Sequence, residues 1–528
     1  MEWKLNLNAT GAKPKYQHLM EFVSQAIATG RLRAGERIPS VAALSRRLSV
    51  NQATVVRAFR ELERRRLIVS RVGRGSFVSP PAREGGDGSG GNGEAGSQAA
   101  GFAEPAIQRG GGDGAAGPAG PPRSDVARLI RQLRHAHVSG ITHLLGIEAP
   151  PGAINFWAGV PPEDTLPGRL LEEAAARAFR REGAGLLRYA HYGLPRLREA
   201  VAAWLRRRGC ALSADQVLIT NGSQQALALI GQWALEDGRA LLCETPAYIG
   251  VPRLFSQTGH LVRSVPRDSR GLREEALAPA RERRAVIYCC PDFHNPTGEC
   301  LPPAGRQALA DLASRHEALV VVDDIFRDMR FLGQETPSLY EQLPPSRRVL
   351  VGSFSKSFVP GLRVGFLAAD RPLIEELMPL KRYMDLGGSA LPQAVMADLL
   401  EEAYPRHLET MRPYYRERRE AMVEALEGCL PREVAFTRPE GGFHLWVQMP
   451  PGYSSIQVYL AALERGVCIY PGPAHDIDGR YVNCFRLSFG WPDPGRIRQG
   501  VGVVGGIVRG MLKNGPVEPS VTGIGLPV

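Results

Sequence analysis

Five apolar runs constrain this chain most. Val217-Leu218-Ile219-Thr220, Ala240-Leu241-Leu242-Cys243, Val286-Ile287-Tyr288-Cys289, Leu319-Val320-Val321-Val322 and Val349-Leu350-Val351 alternate with helical stretches. Strands that are apolar at every residue, not at every second one, are buried on both faces. Helical crossovers between such strands give a mostly parallel sheet. The expected fold class is α/β. In such sheets ligands bind beyond the carboxyl ends of the strands, and the polar groups of this chain fall at those ends.

After the first run, Asn221-Gly222-Ser223-Gln224-Gln225 opens a helix. Free backbone N–H groups and the helix dipole make an anion site there. Tyr248 follows the second run and offers a flat ring for stacking. Asn295, in His294-Asn295-Pro296-Thr297-Gly298 after the third, can bond a phenolic oxygen. Asp323-Asp324 ends the fourth, where a carboxylate can hold a pyridine nitrogen protonated. The fifth feeds Ser353-Phe354-Ser355-Lys356-Ser357-Phe358, with Arg363 seven residues beyond the lysine. An amine there can condense with an aldehyde while Ser353, Ser355 and Arg363 hold a phosphate dianion.

In this ordered series, about residues 150–513 resemble the fold-type I aminotransferases, which use pyridoxal 5′-phosphate. The resemblance implies an α/β/α domain over 123–513 with a smaller C-terminal α+β subdomain that contains Gly441-Gly442. It implies that Lys356 carries the cofactor and moves protons. Asp323 then pairs with the pyridine nitrogen, Asn295 bonds the 3′-oxygen and Tyr248 stacks on the ring. Ser223, Gln224, Ser353, Ser355 and Arg363 hold the phosphate, and Tyr189 reaches the phosphate of a partner subunit. Arg486 and Gly159 belong to the substrate side, with the arginine clamping a carboxylate. One departure is pointed: a tyrosine usually stands three residues after the aspartate, and this chain has Phe326. Loss of that hydroxyl should weaken catalysis without preventing cofactor binding.

Net charge is +11, but residues 1–80 alone carry 15 Lys and Arg against 5 Asp and Glu. A basic head on a near-neutral body suggests a module for a polyanion. Helical spacing over Tyr16–Thr29 is stopped by Gly30, and shorter helices are expected at about 41–48 and 52–66. In the last of these, Val55, Phe59 and Leu62 face inward. Val69 to Val78 reads as a hairpin with a basic, glycine-rich tip. Residues 12–80 resemble the winged helix-turn-helix of GntR-type bacterial regulators, on Gly30-x-Leu32-x-x-Gly35, Pro39-Ser40, Thr54-Val55, Phe59-x-x-Leu62-Glu63 and Gly73-x-Gly75-x-Phe77-Val78. The resemblance implies double-stranded operator DNA as partner. Gln52, Ala53 and Thr54 would lie at base edges, Arg57, Arg71 and Arg74 at phosphates, and Ser40 on the same DNA face. The family often has arginines where this chain has Ala42 and Gln52.

Residues 81–122 are dominated by Gly, Ala, Pro and Ser and read as a flexible tether; residues 514–528 read as a tail. A GntR-like head on an aminotransferase-like body resembles the MocR group of bacterial regulators, in which the body senses pyridoxal 5′-phosphate or its amino-acid aldimine. That implies a homodimer regulating transcription. The alternative is a working aminotransferase that carries a DNA-binding head. The eight cysteines form no Cys-x-x-Cys pair and no zinc spacing. Several sit in apolar runs such as Tyr288-Cys289-Cys290 and read as buried free thiols, which fits a reducing cytosol; with no bilayer-spanning apolar stretch either, a cytoplasmic protein without a metal is expected.

Overall fold

A computed structural model describes residues 15–78 in part and residues 151–516, apart from short breaks at 237, 258–261, 269–270, 274–275 and 277–284. The chain separates into two compact units, Met1–Gly112 and Asp113–Val528. The expected tether, and the expected start of the body at 123–150, lie outside the described residues.

In the head, the helix Lys15–Ala28 ends before Gly30, whose φ of 71° is the left-handed conformation that closes a helix. Three strands, β1 (Arg37–Ile38), β2 (Ile68–Arg71) and β3 (Gly75–Val78), form an antiparallel sheet in the order β1-β3-β2. The expected hairpin is thus β2 and β3. Leu44, Val55, Phe59 and Leu62 are helical and pack with Leu19, Val23 and Ala26 in one apolar cluster. Val55 and Leu62 have no exposed surface, as their spacing on one helix face requires.

The body is built on eight strands: β5 (Val217–Thr220), β6 (Ala240–Thr245), β7 (Val262–Asp268), β8 (Gly271–Leu272), β9 (Ala285–Cys289), β10 (Leu319–Asp323), β11 (Arg348–Ser353) and β12 (Gly365–Ala369). Their order is β5-β12-β11-β10-β9-β6-β7-β8. The neighbours from β11 to β7 pair in parallel, whereas β12 runs antiparallel to both β11 and β5. The five apolar runs are β5, β6, β9, β10 and β11. Period-two geometry sends alternate residues to opposite faces. Val320 and Val322 join one core, and Leu319 and Val321 the other. Both cores are helix-covered, which is why these strands show no polar alternation.

A smaller subdomain follows. Strands β13 (Ala435–Phe436), β14 (His444–Gln448), β16 (Tyr470–Pro471) and β17 (Cys484–Ser488) form an antiparallel sheet in the order β13-β14-β17-β16. The helices Ala403–Cys429 and Pro494–Asn514 share its apolar core. The last helix runs one residue past the expected boundary at 513. Strand β4 (Ile154–Asn155) pairs in parallel with β15 (Val467–Cys468). The first described residues of the body therefore belong structurally to this C-terminal unit.

Candidate functional site

The antiparallel β12 organises the phosphate end of the site. Thr220 at the end of β5 pairs with Gly365 at the start of β12, and Gly365 pairs with Ser353 at the end of β11. Two strand ends and one strand start thus lie in one row. Arg363 precedes β12 in a left-handed conformation, φ 53°, and donates from Nη2 to the Asn221 carbonyl at 3.3 Å. Gly222 makes this possible: a Cβ there would stand 2.6 Å from Arg363 Nη2. The helix Ser223–Glu236 begins at the same point. Ser353 Oγ and Ser355 Oγ are 3.1 Å apart. Ser223, Gln224, Ser353, Ser355 and Arg363 thus collect around a helix N-terminus with hydroxyl donors and one guanidinium, a donor set suited to a phosphate dianion.

Lys356 follows in the loop after β11. Among the described residues it makes no hydrogen bond or ion pair, and it is only partly exposed. Burial, then the positive charges of Arg486 and Arg363, lower its amine to a pKa of about 8; Asp323 opposes them. A primary amine held near neutrality is the form a carbonyl captures. At pH 7 its free-amine fraction is about one in ten, roughly 300-fold above an unperturbed lysine. The rate of aldehyde cofactor uptake should therefore rise steeply from pH 6 and level off above about 8. Stopped-flow absorbance checks this; a rise continuing past pH 10 would show an unperturbed lysine.

Asp323 ends β10 and is buried. It accepts from Tyr288 Oη at 2.6 Å and from the Ile325 backbone N–H at 3.3 Å. Burial outweighs these bonds and raises its pKa to about 6. A cationic ring nitrogen would supply the missing counter-charge. Asp324 turns the other way and pairs with Arg208 at 3.1 Å. Tyr288 was hidden in an apolar run; its hydroxyl, one strand over on β9, was the available signal. Tyr248 accepts from Gln224 Nε2 at 2.9 Å, joining the stacking ring to the helix N-terminus.

On the substrate side, Arg486 of β17 is 4 % exposed. Nη1 donates to Asn295 Oδ1 at 3.0 Å and Nη2 to the Trp157 carbonyl at 2.7 Å. Its guanidinium lies 4.5 Å from the Tyr470 ring centroid. Its Nε is buried without a partner among the described residues. Burial lowers its pKa to about 10, so it remains charged at neutral pH. The bond to Arg486 uses the Asn295 carbonyl, leaving the amide N–H groups for a ligand oxygen. Gly159 lies two residues past Trp157, and a Cβ there would stand 2.7 Å from His444 Cε1. Sequence reasoning missed His444, Trp157 and the link from Asn295 to Arg486. Phe326 is buried and meets His444 edge-on, so no hydroxyl enters at that position.

Tyr189 stands apart from these groups, 71 % exposed and stacked on His191. In the head, Arg71 closes β2; Ser40, Gln52, Ala53, Thr54, Arg57 and Arg74 lie outside the described residues. All eight cysteines are free thiols. Among the described residues no His, Cys, Asp and Glu group could hold a metal, and no helix is long and apolar enough to cross a membrane.

The fold and this site define a member of the class I and II aminotransferases. Residues 151–502 match the family Aminotransferase class I and II, to which the chain belongs, and residues 15–78 match the bacterial regulatory proteins of the gntR family. A 2-aminoadipate transaminase of Thermus thermophilus is 36% identical over 71% of this chain and 94% of its own length. The transcriptional regulator TauR of Rhodobacter capsulatus is 30% identical over 95% of this chain and 98% of its own. The crystal structure of the Thermus α-aminoadipate aminotransferase LysN, complexed with N-(5'-phosphopyridoxyl)-L-leucine, superposes with a TM-score of 0.65 at 34% identity, covering 74% of this chain and 98% of LysN. This fold family is dependent on pyridoxal 5′-phosphate.

Proposed function

We propose that this chain is a transcriptional regulator whose aminotransferase-like body takes up pyridoxal 5′-phosphate and reads an amino acid on it. The observation that carries the reading is the union, in one chain, of a gntR-family head and a body that keeps Lys356, Asp323, Asn295 and Arg486 together. The bound cofactor supplies an aldehyde for the lysine and a ring that draws off electrons. Ser223, Gln224, Ser353, Ser355 and Arg363 hold its phosphate, and Tyr248 stacks on its ring. Asp323 holds the pyridine proton, Asn295 donates to the phenolic oxygen, and Lys356 gives and takes protons at Nζ. Arg486 clamps the amino acid's carboxylate beside Gly159.

The head spans 12–80, the tether 81–122, the body 123–513 and the tail 514–528. Operator contacts fall on Ser40, Gln52, Ala53, Thr54, Arg57, Arg71 and Arg74, and binding to genomic DNA supports a cytoplasmic protein. A homodimer is supported by exposed apolar side chains at Leu187, Tyr189, Tyr383 and Leu386, a pattern that marks an interaction surface. In such a dimer Tyr189 would reach the phosphate in the site of the second copy, which its exposure supports.

A second reading, a working aminotransferase with a DNA-binding head, is favoured by one observation: every chemical group of the site except the hydroxyl at 326 is present. Two measurements separate the readings. Loaded protein is titrated with a panel of amino acids while its affinity for promoter DNA is followed, and the same mixtures are assayed for keto-acid production. A regulator changes DNA affinity at least about fivefold with one class of amino acid and accumulates no product. Steady turnover with unchanged DNA affinity would sink the regulator.

A further inference from the structure

His444 opens β14 and is 1 % exposed. Its ring meets Phe326 edge-on with centroids 5.6 Å apart. The same ring occupies the space that a side chain at Gly159 would need, with Cε1 2.7 Å from the ideal Cβ position. The imidazole therefore touches both the residue that lacks the expected hydroxyl and the glycine of the substrate segment. Its Nδ1 is buried with no hydrogen-bond partner among the described residues. An unpaired buried nitrogen costs about 1–3 kcal/mol, and a phenylalanine would fill similar space without that cost. A polar ring is therefore poorly explained by packing alone.

The ring is neutral. Burial, followed by the positive fields of Arg486 and Lys356 and then by His475 and His294, holds its pKa well below the ordinary histidine range. A neutral imidazole carries one N–H, and the site it faces is built for a ligand rich in anionic oxygens.

We propose that His444 donates a hydrogen bond from its ring N–H, by way of Nε2, the nitrogen 3.0 Å from the ideal Cβ position at Gly159, to an anionic oxygen of the ligand held at Lys356, beside the place where Phe326 brings no hydroxyl. The inference rests on the cofactor reading above. Its chemistry is a phenolic or a carboxylate oxygen beside Phe326 and Gly159.

The full chain is loaded with pyridoxal 5′-phosphate as wild type, His444→Phe, His444→Gln and His444→Phe/Phe326→Tyr. The visible band is titrated with pH, first without and then with amino acid. Losing a donor to the phenolic oxygen returns electron density to the conjugated system and makes the lysine nitrogen more basic. The midpoint of His444→Phe then rises by about one pH unit. His444→Gln, which keeps a donor, restores most of that shift, and the added tyrosine lowers the midpoint again. Where the acceptor is the amino acid's carboxylate, the midpoint stays and amino-acid affinity falls about tenfold instead. His444→Leu guards against a packing fault and must move the same readout. If His444→Phe matches wild type in both, the proposal is overturned. A wild-type chain that takes up no cofactor overturns the cofactor reading itself, which is a different result.

Discussion

Replacing Lys356 with alanine abolishes the visible band of the loaded protein and every effect of amino acids on DNA affinity, while affinity for DNA without ligand stays within about twofold. The asymmetry follows from where the lysine sits. It lies in the body, in a loop at the carboxyl end of β11, and among the described residues it supports no hydrogen bond whose loss would propagate. Its removal should also stabilise the unloaded fold. In the folded chain the amine titrates at about 8, against an ordinary 10.5, so charging it costs the folded state stability. The sign is fixed: between these two values the unfolded chain binds more protons, so stability falls as pH drops from 10.5 to 8. The variant escapes that loss. At pH 7 it should gain up to about 3 kcal/mol, an upper bound because the lysine is partly exposed, and the gain should shrink to nothing above pH 10.5. Thermal melts at pH 7 and pH 10.5 check this. A variant less stable than wild type at pH 7 would mean that Lys356 is a structural residue.

Strand runs and site residues were not equally legible in the sequence. Five strands of the large sheet showed as apolar runs because both faces are covered, and the groups at their ends followed from the rule for parallel sheets. β12 did not show in this way. Gly365-Phe366-Leu367-Ala368-Ala369 follows the lysine loop after so few residues that it reads as part of that loop. Its antiparallel course, which places Arg363 beside the helix at Ser223, depends on which strands pair, and local sequence does not encode that. Asn295 and Arg486 are 191 residues apart, and nothing near either one signals their hydrogen bond. Tyr288 was masked by its own neighbours: in an all-apolar strand a tyrosine counts as one more large side chain until a carboxylate is found beside its hydroxyl. The winged-helix head was legible from its glycine and apolar spacing, since Leu19, Val23, Val55 and Leu62 meet in one small core.

Arg486→Lys should lower affinity for the effective amino acid by roughly two to three orders of magnitude while leaving cofactor uptake intact. Lysine keeps the positive charge that bears on Lys356 and His444, so the electrostatics of the empty site change little. What it loses is the planar fork. In the free site Arg486 already spends Nη1 on Asn295 and Nη2 on the Trp157 carbonyl. These bonds fix the plane of the guanidinium, and the buried Nε has no partner among the described residues. A carboxylate therefore meets a pre-oriented, desolvated cation with donors to spare, the arrangement in which a bidentate pair far exceeds a point charge. A lysine amine at the same place has three rotating donors and cannot serve Asn295, Trp157 and a carboxylate with one geometry. The loss should fall on all amino acids alike, because the α-carboxylate is common to them, and should be small for amines that lack it. Spectral titration of the loaded variant with an amino acid and with its decarboxylated amine separates these cases. If the variant weakens both equally, Arg486 organises the pocket without clamping the carboxylate; if affinity for the amino acid changes less than threefold, the substrate side of the site lies elsewhere.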